Sequence, residues 1–243
     1  MDLYQELKEK FKTIVEKENI TKDEIAVNIK SLRPDESIGN PTRRDFPLLT
    51  GKEQMVEANY KGAKGQAFTL SRSHFQGTLE EVLTLDLSND YNKAIFISTL
   101  NAVLKYLGLI DHTVHCKNEE PEECASHMAQ YMEEHFKGKN IVLIGYQPAI
   151  LEALTKVDLS LRILDLNPDN IDDTRYGVKV EDGKSVFNEV ATWADIYLVT
   201  GSTLANGTIT DFLSLPQEVI FYGNTIAGAA YLLNLPRLCF KAS

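Results

Sequence analysis

Residues 200–208 read Thr-Gly-Ser-Thr-Leu-Ala-Asn-Gly-Thr and follow the short apolar run Ile196–Val199. Thr200, Ser202, Thr203, Asn206 and Thr208 bring hydroxyls and an amide into nine positions, and Gly201 and Gly207 add two permissive backbone sites. Such side chains hold polar or anionic groups by hydrogen bonding. In open α/β sheets, ligands settle outside the carboxyl ends of the strands, where loop N–H groups and helix N-termini gather. The run therefore predicts a strand leading into a ligand-facing loop, with Thr200, Gly201, Ser202, Thr203 and Asn206 as binding residues. A capped turn without ligand is the alternative, because Thr208 followed by Asp211 makes an adequate capping box.

Three further strand ends would share that edge. They are Gly145-Tyr146-Gln147-Pro148, Asp165-Leu166-Asn167-Pro168 and Tyr222-Gly223-Asn224-Thr225. Gly145, Tyr146, Gln147, Asp165, Asn167, Gly223 and Asn224 join the candidate binding set. Asp165 lies about 20 residues after Gly145, where an acidic side chain accepts from a ribose diol, although an ordinary strand-end carboxylate fits as well. Pro148 stands where G-x-G-x-x-G would continue, so a dinucleotide dehydrogenase is disfavoured and no cofactor is specified. Gly51-Lys52-Glu53 does not complete a Walker A motif, and H-E-x-x-H and G-x-S-x-G are absent. Lys52 and Glu53, at the end of a Pro-, Gly- and Arg-containing loop, are the candidate catalytic acid/base groups.

His112, His115, Cys116, Cys124 and His127 supply metal-ligand atom types within sixteen residues. Cys124 and His127 would share a helix face. The Cys116–Cys124 spacing matches no standard zinc finger, so no metal ligand is assigned; buried cysteines with surface histidines are the other reading.

The 243 residues carry 25 Lys plus Arg against 35 Asp plus Glu, a net charge of −10. That balance argues against binding nucleic-acid backbones. The amphipathic, charged N-terminus is unlike a signal peptide and no run approaches a membrane span, so a soluble cytoplasmic protein without membrane partners is expected. Three cysteines fit a reducing compartment. A homodimer is compatible with the chain.

Periodicity predicts a helix over 3–17, a strand over 24–30, a long loop over 32–52 and a hairpin of strands 55–60 and 66–70. Helices over 78–83 and 92–107 follow. Beyond a polar connection at 109–121, helix and strand alternate. Strands are expected at 141–145, 161–166, 196–199, 218–222 and 237–240, helices at 121–136, 149–154, 186–193 and 226–233, and irregular chain at 169–183. The fold class is α/β. An α+β domain, 1–112, precedes a doubly wound domain, 113–243.

T-G-S-T-L-A-N-G-T at 200–208, G-Y-Q-P at 145–148, G-K-E at 51–53, G-Q-A-F-T at 65–69, L-N-A-V at 100–103, and T-V-H-C with E-P-E-E-C within 113–124 carry a resemblance. With them the chain resembles the putative heavy-metal chelation family, a group of uncharacterised prokaryotic proteins. The resemblance implies an enolase N-terminal-like domain, a Rossmann-like domain and an active site in the cleft between them. It implies a role with flavin-, pterin- or siderophore-like metal-binding molecules, hence a small polar or anionic partner or a metal chelate. Where other members carry G-P-S after the penultimate strand, this chain has Tyr222-Gly223-Asn224-Thr225. Three functions stay open: an enzyme acting on such a molecule, an S-adenosylmethionine-dependent methyltransferase, and a non-catalytic binder of metal or metallophore.

Overall fold

A computed structural model describes residues 2–28, 34–50, 54–69 and 74–243. Helix α1 (Leu3–Lys17) turns Tyr4, Leu7, Phe11 and Val15 inward at helical spacing. Strand β1 (Glu24–Asn28) follows, then two single turns where one long loop was expected: α2 (Pro34–Ser37) and a 3-10 turn at Pro47–Thr50. Strands β2 (Gln54–Tyr60) and β3 (Ala63–Thr69) form the hairpin. Its connection is only Lys61-Gly62, both at positive φ, and not the five residues expected. Gly65 is a strand residue whose missing Cβ lets backbone pass. A methyl there would fall on the Ala102 nitrogen and the Ser98 carbonyl.

Strand β4 (Phe75–Thr78), α3 (Leu79–Thr84) and α4 (Asp90–Tyr106) complete the front half. The front sheet is antiparallel, in the order β3-β2-β1-β4. Helix α4 is buried around most of its circumference, from Lys93 to Leu104. Its enclosure comes from β2 and β3 on one side and from helices of the second half on the other.

The second half comprises α5 (Glu120–Phe136), β5 (Asn140–Ile144), α6 (Pro148–Leu154), β6 (Ser160–Asp165), β7 (Thr174–Arg175) and β8 (Val178–Asp182). Then come α7 (Phe187–Trp193), β9 (Ile196–Thr200), α8 (Ser202–Asn206), α9 (Thr210–Leu213), β10 (Glu218–Tyr222), α10 (Ala227–Leu233) and β11 (Arg237–Leu238). The expectation of irregular chain over 169–183 is corrected: β7 and β8 form a hairpin there, and β8 extends the sheet beside β6. Val178-Lys179-Val180-Glu181-Asp182 is too short and charged to stand out as a strand, and pairing on β6 supplies what composition does not.

The sheet order is β11-β10-β9-β5-β6-β8-β7, parallel except for β7. The chain starts centrally at β5, winds outward through β6 and β8, then returns to the other side of β5 for β9, β10 and β11. The strand order reverses between β5 and β9, the switch point at which a doubly wound sheet opens a crevice. Side chains alternate accordingly. Val142, Tyr197, Val199 and Phe221 join a core shared with α1, α4 and the front sheet. Ile141, Leu143, Ile196, Leu198 and Ile220 join a second core with α5 and α6. Among the described residues, no helix is long and apolar enough to cross a membrane.

Candidate functional site

A cleft of about 850 Å³ opens at the carboxyl ends of β5, β6, β9 and β10. Of the sequence candidates, the structure brings Gly145, Tyr146, Gln147, Asp165, Thr200, Gly201, Ser202, Thr203, Asn206, Gly223 and Asn224 to its lining. Asn167 is not among the lining residues; its Oδ1 accepts the Asp169 N–H in a local turn. Lys52 and Glu53 lie outside the described residues. Among those described, the front half contributes Phe68, and the connection contributes His115 and Cys116.

Convergence is not availability. The expected loop at 200–208 is largely the one-turn helix α8, ended by Gly207 at φ 87°. The Thr208–Asp211 capping box does not form: α9 carries no side-chain cap. Thr203 is buried and its hydroxyl donates to the Thr200 carbonyl at 2.7 Å. Asn224 is buried, with Nδ2 donating to the Thr113 carbonyl. The Asn206 Oδ1 accepts the Thr208 N–H at 3.0 Å and hydroxyl at 2.8 Å, leaving Nδ2 for a ligand. Gln147 caps α6 through Oε1, accepting the Ile150 N–H at 2.7 Å, and likewise retains its amide donor.

The backbone donors that would cradle an anion are also engaged. Gly145 N–H donates to the Leu164 carbonyl and Gly201 N–H to the Tyr222 carbonyl, both at 2.8 Å. Tyr146 N–H donates to one Asp165 oxygen and Asn167 N–H to the other, both at 2.6 Å. Asp165 thus ties two strand ends together, a role the diol expectation did not include. Gly201 serves packing rather than ligand approach, since a Cβ would sit 2.8 Å from the Ile226 nitrogen.

What remains for a ligand is mostly apolar. Phe68, Met128, Ile150, Phe187, Phe212 and Leu215 line the cleft. Among the described lining residues, Lys184 is the one Lys or Arg, set against Asp165 and Asp211. Burial, with an Asp45 carboxylate nearby as a lesser cause, pushes the Tyr146 phenol up to about 12, so it stays a neutral donor at physiological pH.

Arg43, in the loop that precedes Lys52, is engaged within the protein and is not among the residues lining the cleft. It pairs with Glu122 and Glu152 and reaches Tyr176, docking the 38–50 segment onto α5 and α6. Ile38, Phe46 and Leu48 pack into the second core beneath it.

The five His and Cys residues of 112–127 separate. His127 is exposed, meets Phe240 edge-on and is not among the residues lining the cleft that Cys124 lines. His112, at φ 54°, pairs with the Ala242 carbonyl. Cys116, Cys124 and His115 line the cleft, and the sequence reading missed their companion Cys239. Its position after β11 gave no local signal; only the sheet order brings it there. No group of three or more His, Cys, Asp or Glu among the described residues is arranged to hold a metal ion.

His115 Nδ1 is enclosed without a hydrogen-bond partner, and burial pushes the ring's pKa down to about 4. The unfolded ring protonates near 6.5, so the unfolded state binds the extra proton as pH falls from about 6.5 to about 4. Stability should be full above that window and decline through it, by up to about 3 kcal/mol. Chemical denaturation at intervals between pH 7 and pH 4 should show this slope flattened in His115→Gln; an unchanged slope would locate the acid sensitivity elsewhere.

Residues 128–234 match the family model described as putative heavy-metal chelation, DUF364. This is the family that the sequence motifs resemble, and the matched segment contains β5, β9, β10 and their loops. A DUF364 protein of unknown function from Pyrococcus horikoshii superposes with a TM-score of 0.55 at 14% identity, covering 91% of this chain and 78% of that one. Another from Desulfitobacterium hafniense gives 0.53 at 13% identity, covering 93% and 82%. These likenesses show a common α/β fold. No curated protein matches the chain.

Proposed function

We propose that the protein binds one flat, weakly charged heteroaromatic molecule in the cleft at the β5–β9 switch point. The flavin- and pterin-like members of the metal-binding class implied by the family resemblance have this chemistry. The observation carrying the reading is the contrast within the lining: aromatic and aliphatic walls are open, whereas the backbone N–H groups of Gly145, Tyr146 and Gly201 are internally bonded. A pyrophosphate would find few free donors and a single nearby cation. A fused ring would find Phe68, Phe187 and Phe212 for contact, with the amides of Gln147 and Asn206 for its edge.

The same side chains support binding without chemistry. In the enzymatic form, Lys52 and Glu53 would serve as acid and base from the segment preceding β2, whose Met55 pairs in register with Phe68 of the cleft wall. Equilibrium titrations with riboflavin, a pterin, NAD and ATP test the reading. Saturable one-site binding of a fused-ring probe, tighter than either nucleotide, is expected. Tighter binding of NAD or ATP would replace the reading with a nucleotide site.

A further inference from the structure

Lys93 on α4 does not line the cleft, and only 8% of it is exposed. Its Nζ lies 3.3 Å from Asp90 Oδ1 and 5.3 Å from the centre of the Tyr4 ring. It also abuts the glycine that ends α8: a Cβ on Gly207 would come 3.2 Å from Lys93 Nζ and 3.9 Å from the Tyr4 hydroxyl oxygen. That hydroxyl donates to the Leu204 carbonyl of α8 at 2.6 Å. Tyr4, Lys93 and Gly207 are far apart in sequence. Helices α1 and α4 of the front half thus meet the turn whose flanking residues, Asn206 and Thr208, line the cleft.

A helix of five residues has little stability of its own, and its last carbonyls lack helical partners. The Tyr4 hydroxyl satisfies one of them, and a positive charge is favourable beside a helix C-terminus. Burying a lysine costs desolvation unless its surroundings compensate, which here are the Asp90 carboxylate, the Tyr4 ring face and the end of α8. We propose that Lys93, assisted by Tyr4, is the positioning residue of the ligand loop: it holds the α8–Gly207 turn so that Asn206 offers its free amide donor to the edge of a bound ring. The inference deepens the heteroaromatic reading and rests on it for the identity of the ligand. Gly207 belongs to the same device, because its φ of 87° turns the chain and its missing side chain leaves room for Lys93 Nζ. Two N–H groups report whether the turn is held: Thr208 donates to Asn206 Oδ1 at 3.0 Å and Ile209 to the Thr203 carbonyl at 3.1 Å.

Residue-resolved hydrogen exchange of the full chain and Lys93→Met, which keeps an unbranched apolar stem and removes the charge, tests the device without any ligand. The Thr208 and Ile209 amides should exchange at least about tenfold faster in the variant, with those of β9 unchanged. Titration with riboflavin and with phenazine, a flat tricycle lacking the amide-bearing edge, tests its consequence. Lys93→Met should bind riboflavin at least about fivefold more weakly and phenazine as the wild type does. Unchanged exchange at Thr208 and Ile209, or an equal loss of affinity for both probes, overturns the proposal; the second result would make Lys93 a general packing residue. Should Lys93→Met fail to fold, Tyr4→Phe, which keeps the ring and deletes only the hydroxyl bonded to Leu204, decides by the same readouts. A wild type that takes up neither probe strikes the heteroaromatic reading instead, and the exchange rates then decide the positioning of the turn by themselves.

Discussion

Replacing Asn101 by Ala should lower the folding free energy by about 4 kcal/mol, the largest effect expected of any polar substitution in this chain. Asn101 is fully buried on α4. Its Nδ2 donates to the carbonyls of Gln66 at 3.0 Å and Thr225 at 3.1 Å and lies 3.3 Å from that of Asn224; its Oδ1 accepts the Gly228 N–H at 2.7 Å. One side chain thus links β3, the turn after β10 and α10. Truncation removes this partner from the Gln66 and Thr225 carbonyls and the Gly228 N–H, at roughly 1–3 kcal/mol each before relaxation, whereas the Asn224 carbonyl keeps the Ala227 N–H at 3.1 Å. Phe68 N–H also donates to the Thr225 hydroxyl, so the junction holds a cleft wall in place. Urea denaturation at unchanged m-value should report the loss. A change below about 1 kcal/mol would mean that water enters and satisfies the freed groups.

Gly145→Ala should weaken binding of the fused-ring probe at least about tenfold while costing about 1–3 kcal/mol in stability. Gly145 ends β5 at φ 88°, a left-handed conformation that an L side chain adopts under strain. The added Cβ would stand 2.7 Å from Thr200 Cγ2 across the switch point. Relief requires the two loops to part, and those loops form the crevice. Parallel measurement of probe affinity and thermal midpoint separates the effects. A stability loss with unchanged affinity would place the ligand away from the β5–β9 edge.

Much of the sheet was legible because β5, β9 and β10 are continuous apolar runs buried on both faces, followed by polar strand ends. Gly145, Asp165, Thr200 and Tyr222 could therefore be assigned to one edge from order alone. Occupancy could not. Whether Thr203, Asn224 or the Gly201 N–H faces a ligand or a neighbouring carbonyl depends on partners distant in sequence, such as Thr113 for Asn224 and Tyr222 for Gly201. For the same reason Cys239 was invisible as a companion of Cys124, and Gly65 read as a turn residue when it is where α4 crosses β3. Composition reveals which groups could bind; tertiary pairing decides which remain free.

The central claim is that a small organic molecule occupies the cleft at the switch point. Native mass spectrometry of the purified chain beside its Ser202→Trp variant tests it most directly, because Ser202 is half-buried on the cleft wall and an indole there would compete with a ligand for the cleft. The wild-type chain should carry a noncovalent adduct of a small chromophoric molecule, released on denaturation, and the variant should fly at its bare mass with its thermal midpoint preserved. An adduct-free wild type that also takes up no fused-ring probe, or an adduct retained in full by the variant, would contradict the account.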